Sequence, residues 1–142
     1  MKKRKTVLII DAQGGGLGKQ LISRIRAEKA DAELIAIGTN AAASAAMLKA
    51  GADRAATGEN AVAVCARKAD FIVGPVGIVI ADSMLGEITP KIAEAVGQSD
   101  AMRILIPFNT CRNYVAGTDG ISTGELIADA AEQLIRQLKA EE

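Results

Sequence analysis

The hydrophobic residues of this 142-residue chain fall into short continuous runs that alternate with amphipathic stretches. The runs lack the polar–apolar alternation of a half-exposed strand, so they predict strands buried on both faces of a parallel sheet. The amphipathic stretches predict helices with one apolar face. In chain order, the predicted strands are residues 6–10, 34–37, 54–56, 71–73 and 103–106, with one more short strand at Tyr114 and Val115.

Capping residues mark where several of the predicted helices begin. Asn40 is a favourable N-cap, and Thr89 followed by Pro90 has the pattern of an N-cap and first helical residue. The segment from Ile78 to Leu85 fits a helix and a strand equally well. The predicted helices are residues 17–29, 41–50, a stretch that ends near residue 69, residues 90–96, and a last helix that opens near residue 122.

This alternation of strands and helices predicts an α/β fold. We expect a single three-layer Rossmann-like domain over residues 1–142, with a mainly parallel sheet of about five or six strands. Right-handed crossovers would place the carboxyl ends of the strands along one edge of the sheet. Because open α/β sheets bind ligands at that edge, the functional residues are expected in the loops that follow the strands.

A glycine-rich loop follows the first predicted strand and leads into the first predicted helix. Glycine lets the backbone approach a ligand closely, and a helix N-terminus attracts phosphate. A bound nucleotide would therefore lie against this loop, with a lysine adding a charge contact. The residues expected to bind it are Asp11, Gln13, Gly14, Gly15, Gly16, Leu17, Gly18 and Lys19.

The loop matches two nucleotide-binding motifs, each incompletely. In the dinucleotide fingerprint G-x-G-x-x-G, Gly15 and Gly18 take the second and third places and Gln13 replaces the first glycine. In the phosphate loop G-x-x-x-x-G-K-[ST], Gly18 and Lys19 fit, but Gln20 replaces the hydroxyl residue that ligates magnesium. We rank dinucleotide binding first and ATP or GTP binding through a degenerate phosphate loop second. A tight turn that binds nothing is the third interpretation.

Two more loops at the same edge are expected to complete the cofactor site. The second predicted strand leads into Gly38, Thr39 and Asn40, where NAD-binding domains usually carry an acidic residue for the ribose. No carboxylate follows this strand, which favours NADP over NAD, with another adenine nucleotide as the alternative. Asn40 acting only as a helix cap is an equally good interpretation. The loop after the fourth strand adds Gly74, Pro75 and Gly77.

Candidate catalytic groups are few because the chain has no histidine. This excludes His-dependent triads and His-containing metal sites, and the two distant cysteines do not make a zinc site, so no metal is predicted. Asp82 and Glu87 lie in an apolar stretch, where burial would raise the pKa of a carboxyl group and suit acid–base work. With Cys111 as a candidate thiolate, they are the catalytic candidates; capping and exposed turns are the alternative roles. Whether the chain is an enzyme is left open.

Charge and aromatic content limit the partners that we expect. The 17 basic residues balance the 17 acidic ones, which argues against a nucleic-acid binder. Two Phe, one Tyr and no Trp leave little for stacking on a base, so the backbone would have to hold the ligand. No segment is long enough to span a membrane, and the cysteine usage favours a cytoplasmic protein. The Ala-rich second helix and the apolar segment 78–85 predict a homo-oligomer that closes its site against a second copy.

Specific motifs spread along the chain point to a family. They include the loop motif DxQGGGxGK from Asp11 to Lys19, Gly38-Thr39-Asn40, Gly74-Pro75-x-Gly77-Ile78, Ser83-Met84-Leu85-Gly86-Glu87-x-Thr89-Pro90 and Pro107-x-Asn109-x-Cys111. Together they resemble a small bacterial family of similar length that is known only as a domain of unknown function. The resemblance covers nearly the whole chain and implies a stand-alone Rossmann-like domain, but no activity. A non-catalytic ligand-sensing or assembly subunit therefore stays open beside an enzyme.

Overall fold

Parallel strands and helices alternate along the part of the chain that the computed structural model describes, residues 3–108 and 112–140. The strands are β1 (Lys5–Asp11), β2 (Ala32–Gly38), β3 (Arg54–Thr57), β4 (Phe71–Pro75) and β5 (Met102–Ile106). The α-helices are α1 (Gly16–Ala27), α2 (Ala41–Lys49), α3 (Glu59–Ala66), α4 (Pro90–Gln98) and α5 (Thr123–Ala140), and a short 3-10 helix covers Val76–Val79.

The strands form one parallel sheet in the order β3-β2-β1-β4-β5, which is the Rossmann order. The central strand β1 pairs with β2 from Lys5 to Asp11 and with β4 from Val7 to Ile9. The chain runs outward from β1 to β3 and then returns to place β4 on the other side of β1. The predicted α/β fold is confirmed, with five strands in the sheet, and the order of the strands reverses between β1 and β4.

The core lies in two apolar layers, one on each side of the sheet. Val7 and Ile9 of β1 pack into the layer formed with α1, α2 and α5, whereas Leu8 and Ile10 pack into the layer formed with α3 and α4. All four side chains are fully buried, which is why this strand is apolar without alternation. The predicted three-layer arrangement is confirmed.

Helices α2 and α4 begin at the predicted caps. Asn40 accepts a hydrogen bond from Ala43 N at 2.9 Å, and Thr89 accepts one from Ile92 N at 3.1 Å. At the start of α5, Ser122 Oγ accepts a hydrogen bond from Glu125 N at 3.2 Å. Among the described helices, none combines the length and the apolar character that a membrane span requires.

Two segments differ from their predictions. Tyr114 and Val115 form no strand: Tyr114 is 74% exposed and its hydroxyl donates a hydrogen bond to Asp119, so the pair does not pack on the sheet. The segment from Ile78 to Leu85 is neither a helix nor a strand but a 3-10 end followed by turns. Its Met84 and Leu85 have φ values of +55° and +58°, which neither regular element tolerates.

Candidate functional site

The carboxylate of Asp11 holds the amino end of α1. Asp11 is the last residue of β1 and is only 4% exposed. Its Oδ2 accepts a hydrogen bond from Gly18 N at 2.7 Å, and its Oδ1 accepts one from Ala12 N at 2.8 Å. Burial raises the pKa of the Asp11 carboxyl group, the charge of Glu87 adds to the rise, and the amides of Gly18, Ala12 and Leu17 act against it. Asp11 thus takes an amide that the sequence analysis had assigned to a phosphate.

Packing accounts for the two glycines that fit the dinucleotide fingerprint. Gly15 has a φ of +74°, and a Cβ there would lie 2.9 Å from Ala43 Cα in α2. A Cβ on Gly18 would overlap the Met47 side chain and would lie 3.1 Å from Asp11 Cβ. Both glycines are buried, so they let α1, α2 and β1 come together.

Packing does not account for Gly14 and Gly16. Both are exposed, neither has a left-handed φ, and a Cβ at either position would meet no atom within 4 Å. Within residues 3–108 and 112–140, their amide groups donate to no acceptor. The loop therefore presents two free N–H groups at positions where the fold itself has no need of glycine.

Leu17 and Lys19, two further predicted ligand contacts in this loop, differ in exposure. Leu17 is buried in the core, so its side chain is closed to a ligand. Lys19 is exposed and lines a groove between α1 and α5, together with Gln20 and Ile127. Lys19 forms no ion pair with any residue that the structure describes.

Glu87 joins the loops that follow β1 and β2. A single oxygen, Oε1, accepts hydrogen bonds from Thr39 Oγ1 at 2.6 Å, from Gln13 N at 2.8 Å and from Asn40 Nδ2 at 3.0 Å. The hydrogen bond from Thr39 is the main cause that lowers the pKa of Glu87, with those from Gln13 and Asn40 acting in the same direction against a smaller effect of burial. Glu87 is therefore an ionised acceptor, and the expectation that burial raises its pKa was wrong.

The same contacts bring a carboxylate to the carboxyl end of β2. The preference for NADP was based on the lack of an acidic residue after this strand. The structure supplies Glu87 from the loop between β4 and α4, 48 positions away from Thr39 along the chain. The donors of Thr39 and Asn40 that were expected to face a 2′-phosphate are instead bonded to this carboxylate.

Two predicted contact residues lie behind the site, at the ends of strands. Gly38 is buried, and a Cβ there would lie 2.5 Å from Ser44 N. Gly74 is also buried, and its Cβ would lie 2.5 Å from the Ile10 carbonyl oxygen. Both positions require glycine because neighbouring backbone passes there, so packing also accounts for these two glycines.

The remaining residues of the β4 loop are also structural. Pro75 and Gly77 are buried, and the Gly77 carbonyl oxygen accepts a hydrogen bond from Ser83 Oγ at 2.6 Å. This bond ties the beginning of the loop to its middle. Pro75 and Gly77 are thus packed into the loop that carries Glu87.

The other two catalytic candidates do not join Glu87 in a described cluster. Asp82 is exposed on a turn with a φ of +66°, and its amide donates to the Ile88 carbonyl oxygen at 2.7 Å. The expectation of an apolar environment for Asp82 was wrong, because this turn carries it to the surface. Cys111 lies outside the described residues. Within the described ranges, no three carboxylate or thiol side chains lie together as metal ligands would.

Sequence reasoning missed two roles at this site. The hydrogen bond from α1 to Asp11 had a signal, because a carboxylate in the loop that leads into a helix can interact favourably with the helix dipole. The contact of Glu87 with Thr39 and Asn40 had none, because nothing in one sequence indicates which loop folds over which.

Comparisons with known proteins identify the family of this chain. A crystal structure of a dodecameric FMN-dependent UbiX-like decarboxylase from Escherichia coli O157:H7 is similar to this chain, with a TM-score of 0.42. The two share 12% sequence identity over 95% of this chain and 94% of that one. A comparison with curated proteins finds no match. The model of a domain of unknown function, DUF3842, matches residues 6–139, so this chain belongs to the DUF3842 family.

Proposed function

We propose that this chain binds a nucleotide of the NAD(P) type at the carboxyl edge of its sheet, through the loop between β1 and α1. The observation that carries the proposal is the state of Gly14 and Gly16. Both are exposed, unconstrained by packing or φ, and without acceptors for their amides among the described residues. A phosphate group needs such positions, because its oxygens must come within hydrogen-bonding distance of the backbone.

The position of the loop supports the same proposal. It lies where the strand order reverses between β1 and β4, which is where open α/β sheets bind ligands. The phosphates would lie over Gly14 and Gly16, and the ribose would lie toward the loop of Thr39 and Asn40. Because Asp11 holds the amide of Gly18, the phosphates would lie on the amides of Gly14 and of Gly16, which begins α1, rather than on those farther along the first turn.

The geometry supports a dinucleotide over a nucleoside triphosphate. A phosphate loop surrounds its phosphates with the amides at the start of the helix. Here Gly18 N donates to Asp11 at 2.7 Å and Lys19 N donates to the Gly15 carbonyl oxygen at 2.9 Å. Binding is the activity proposed here, and no reacting residue is assigned.

The proposal includes a homo-oligomer. Helix α2 presents small exposed residues on its outer side, with Leu48 half-exposed among them. Leu85 stands at the tip of the loop that carries Glu87 and is 96% exposed. Apolar surface around an open site is typical of an interface that closes it, and a second copy of the chain is the simplest partner.

Ligand-induced stabilisation provides the first test. We expect NAD or NADP to raise the melting temperature more than ATP with magnesium or FMN does, because bound ligand adds about 2.7 kcal/mol of stability at 100 times its Kd. A folded protein that none of these nucleotides stabilises would contradict the proposal.

Paired glycine variants then test the site itself. Gly14→Ala and Gly16→Ala should weaken nucleotide binding about tenfold or more, since a methyl group would keep phosphate from the amide. Both should leave the melting temperature of the free protein nearly unchanged, because nothing lies within 4 Å of the added methyl group. Gly97→Ala in α4 is the matched control: its Cβ also meets open space, but it lies on another part of the fold. If Gly97→Ala lowers binding as much as Gly16→Ala, the loop is not the site.

A further inference from the structure

We propose that Glu87 selects the nucleotide: it accepts a ligand with a free ribose diol and excludes one with a 2′-phosphate. This selection rests on the nucleotide binding proposed above. The usual acidic residue for this task follows the second strand of a Rossmann domain. In this chain the corresponding positions are Thr39 and Asn40; Thr39 donates to Glu87, and Asn40 donates to Glu87 and to the Gln13 carbonyl oxygen.

One oxygen of Glu87 is fixed and the other is available. Oε1 accepts all three hydrogen bonds, from Thr39, Gln13 and Asn40. Oε2 accepts none from the residues that the structure describes, and the side chain is only half-buried. A carboxylate held in this way offers Oε2 as a stationary acceptor for a hydroxyl group. Because it has no proton to donate, it can accept from a diol but gives nothing to a phosphate.

The loop is built to keep Glu87 in this place. Met84 and Ile88 precede and follow Glu87 in the sequence, and both are buried in the apolar layer formed with α3 and α4. The three consecutive residues Met84, Leu85 and Gly86 have φ values between +55° and +85°. This conformation costs free energy at the two non-glycine positions. The Leu85 side chain at the tip is 96% exposed, so it gains almost no packing contact that would offset this cost. The turn therefore places Glu87 where it accepts hydrogen bonds from Thr39, Gln13 and Asn40.

The local negative charge also disfavours a ligand with a 2′-phosphate. The Glu87 carboxylate is close enough to Asp11 to raise the pKa of that group, so two carboxyl groups lie at this end of the sheet. Glu87 forms no ion pair with a Lys or Arg in the described part of the chain. A 2′-phosphate adds about 1.5 to 2 negative charges, which this site would repel.

Binding of NAD and NADP to the full chain, measured by calorimetry, tests the selection. Wild type should bind NAD more tightly than NADP. Glu87→Gln keeps the shape and the acceptor Oε1 but removes the charge, and should reduce the ratio of the two affinities at least about tenfold, as expected for one charge-assisted hydrogen bond. Glu94→Gln removes the same charge from an exposed position on α4 and should leave the ratio unchanged.

A second measurement needs no variant. Wild type should bind ADP about tenfold or more tightly than 2′-deoxy-ADP, because the deoxy ligand leaves Oε2 without its donor. NADP binding as tight as NAD binding, or an unchanged ratio in a folded Glu87→Gln, would overturn the selection while nucleotide binding stands. Folded wild type that binds none of these nucleotides would overturn the proposed site and the selection with it.

Discussion

Asp11 combines a favourable position in the field of α1 with an unfavourable degree of burial. It places a carboxylate at the positive end of α1, where a negative charge is favourable, but it does so in a buried position, where charge is costly. The amides of Gly18 and Ala12 offset only part of that cost, because the pKa of the group is raised overall. Folding therefore favours the protonated form of Asp11 relative to the unfolded chain.

This raised pKa makes a prediction about stability and pH. A group whose pKa is higher in the folded state contributes stability that is fully present below its unfolded pKa and is lost as pH rises through the folded pKa. Asp11→Asn cannot titrate. We expect the free energy of unfolding of wild type, minus that of Asp11→Asn, to fall as pH rises from about 3 to about 8. Urea denaturation followed by circular dichroism measures this difference.

Asp53 provides the matched control because its pKa moves in the opposite direction. Its small burial would raise the pKa, but hydrogen bonds from Leu34 N and from the Arg26 guanidinium lower it overall. Its stabilising contribution is present above the unfolded pKa and is lost as pH falls through the folded pKa. The corresponding difference for Asp53→Asn should therefore rise with pH. Differences that change in the same direction for both variants would contradict the assignment at Asp11.

Among the elements, the close approach of α2 to the glycine loop is the contact that the site depends on. Gly15→Ala should lower the free energy of unfolding by about 1–3 kcal/mol, because the residue has a left-handed φ and its methyl group would lie 2.9 Å from Ala43 Cα. Gly14→Ala, one position earlier, should change it by no more than about 0.5 kcal/mol. Chemical denaturation of both variants measures the contrast, and equal effects would show that α2 does not constrain this loop.

The sequence predicted elements well where local chemistry decides the conformation. The apolar run of β1 and the caps at Asn40 and Thr89 act within a few residues, and all three predictions are confirmed. The prediction was ambiguous at Ile78 to Leu85 because Met84 and Leu85 adopt a left-handed conformation that their residue types do not favour. The surrounding fold imposes it, so no local pattern could indicate it.

In the candidate site, too, the sequence indicated the features that depend on neighbouring residues and not those that depend on tertiary contacts. The glycine loop was predictable because its motif lies within nine consecutive residues, although the sequence could not separate the packing glycines from Gly14 and Gly16. Glu87 was selected as a polar residue in an apolar stretch, but the direction of its pKa shift depends on donors from two other loops. The nearest side-chain donor, Thr39, is 48 positions away, so the role of Glu87 needed the tertiary structure.

The whole molecule has its candidate site at one open edge of the sheet. Leu85 follows β4 at this edge, and Phe108 and Tyr114 follow β5, each with more than a third of its surface exposed. Leu48, Met102 and Ile121 are exposed as well, but Leu85, two residues before Glu87, has the largest exposed fraction of these side chains. This edge is therefore the surface on which association would both bury apolar area and cover the ligand.

Assembly through this edge can be tested by the mass of the protein in solution. Light scattering after size exclusion should give a multiple of the 14.7 kDa chain mass. Leu85→Asp should shift the mass toward that of one chain, because it places a charge in the proposed interface while losing almost no internal contact at a side chain that is 96% exposed. Met102→Asp is the control: Met102 is 41% exposed but begins β5, at the amino edge of the sheet away from the site. A wild-type chain that is monomeric, or a Met102→Asp variant that dissociates as fully as Leu85→Asp, would show that the carboxyl edge is not where copies meet.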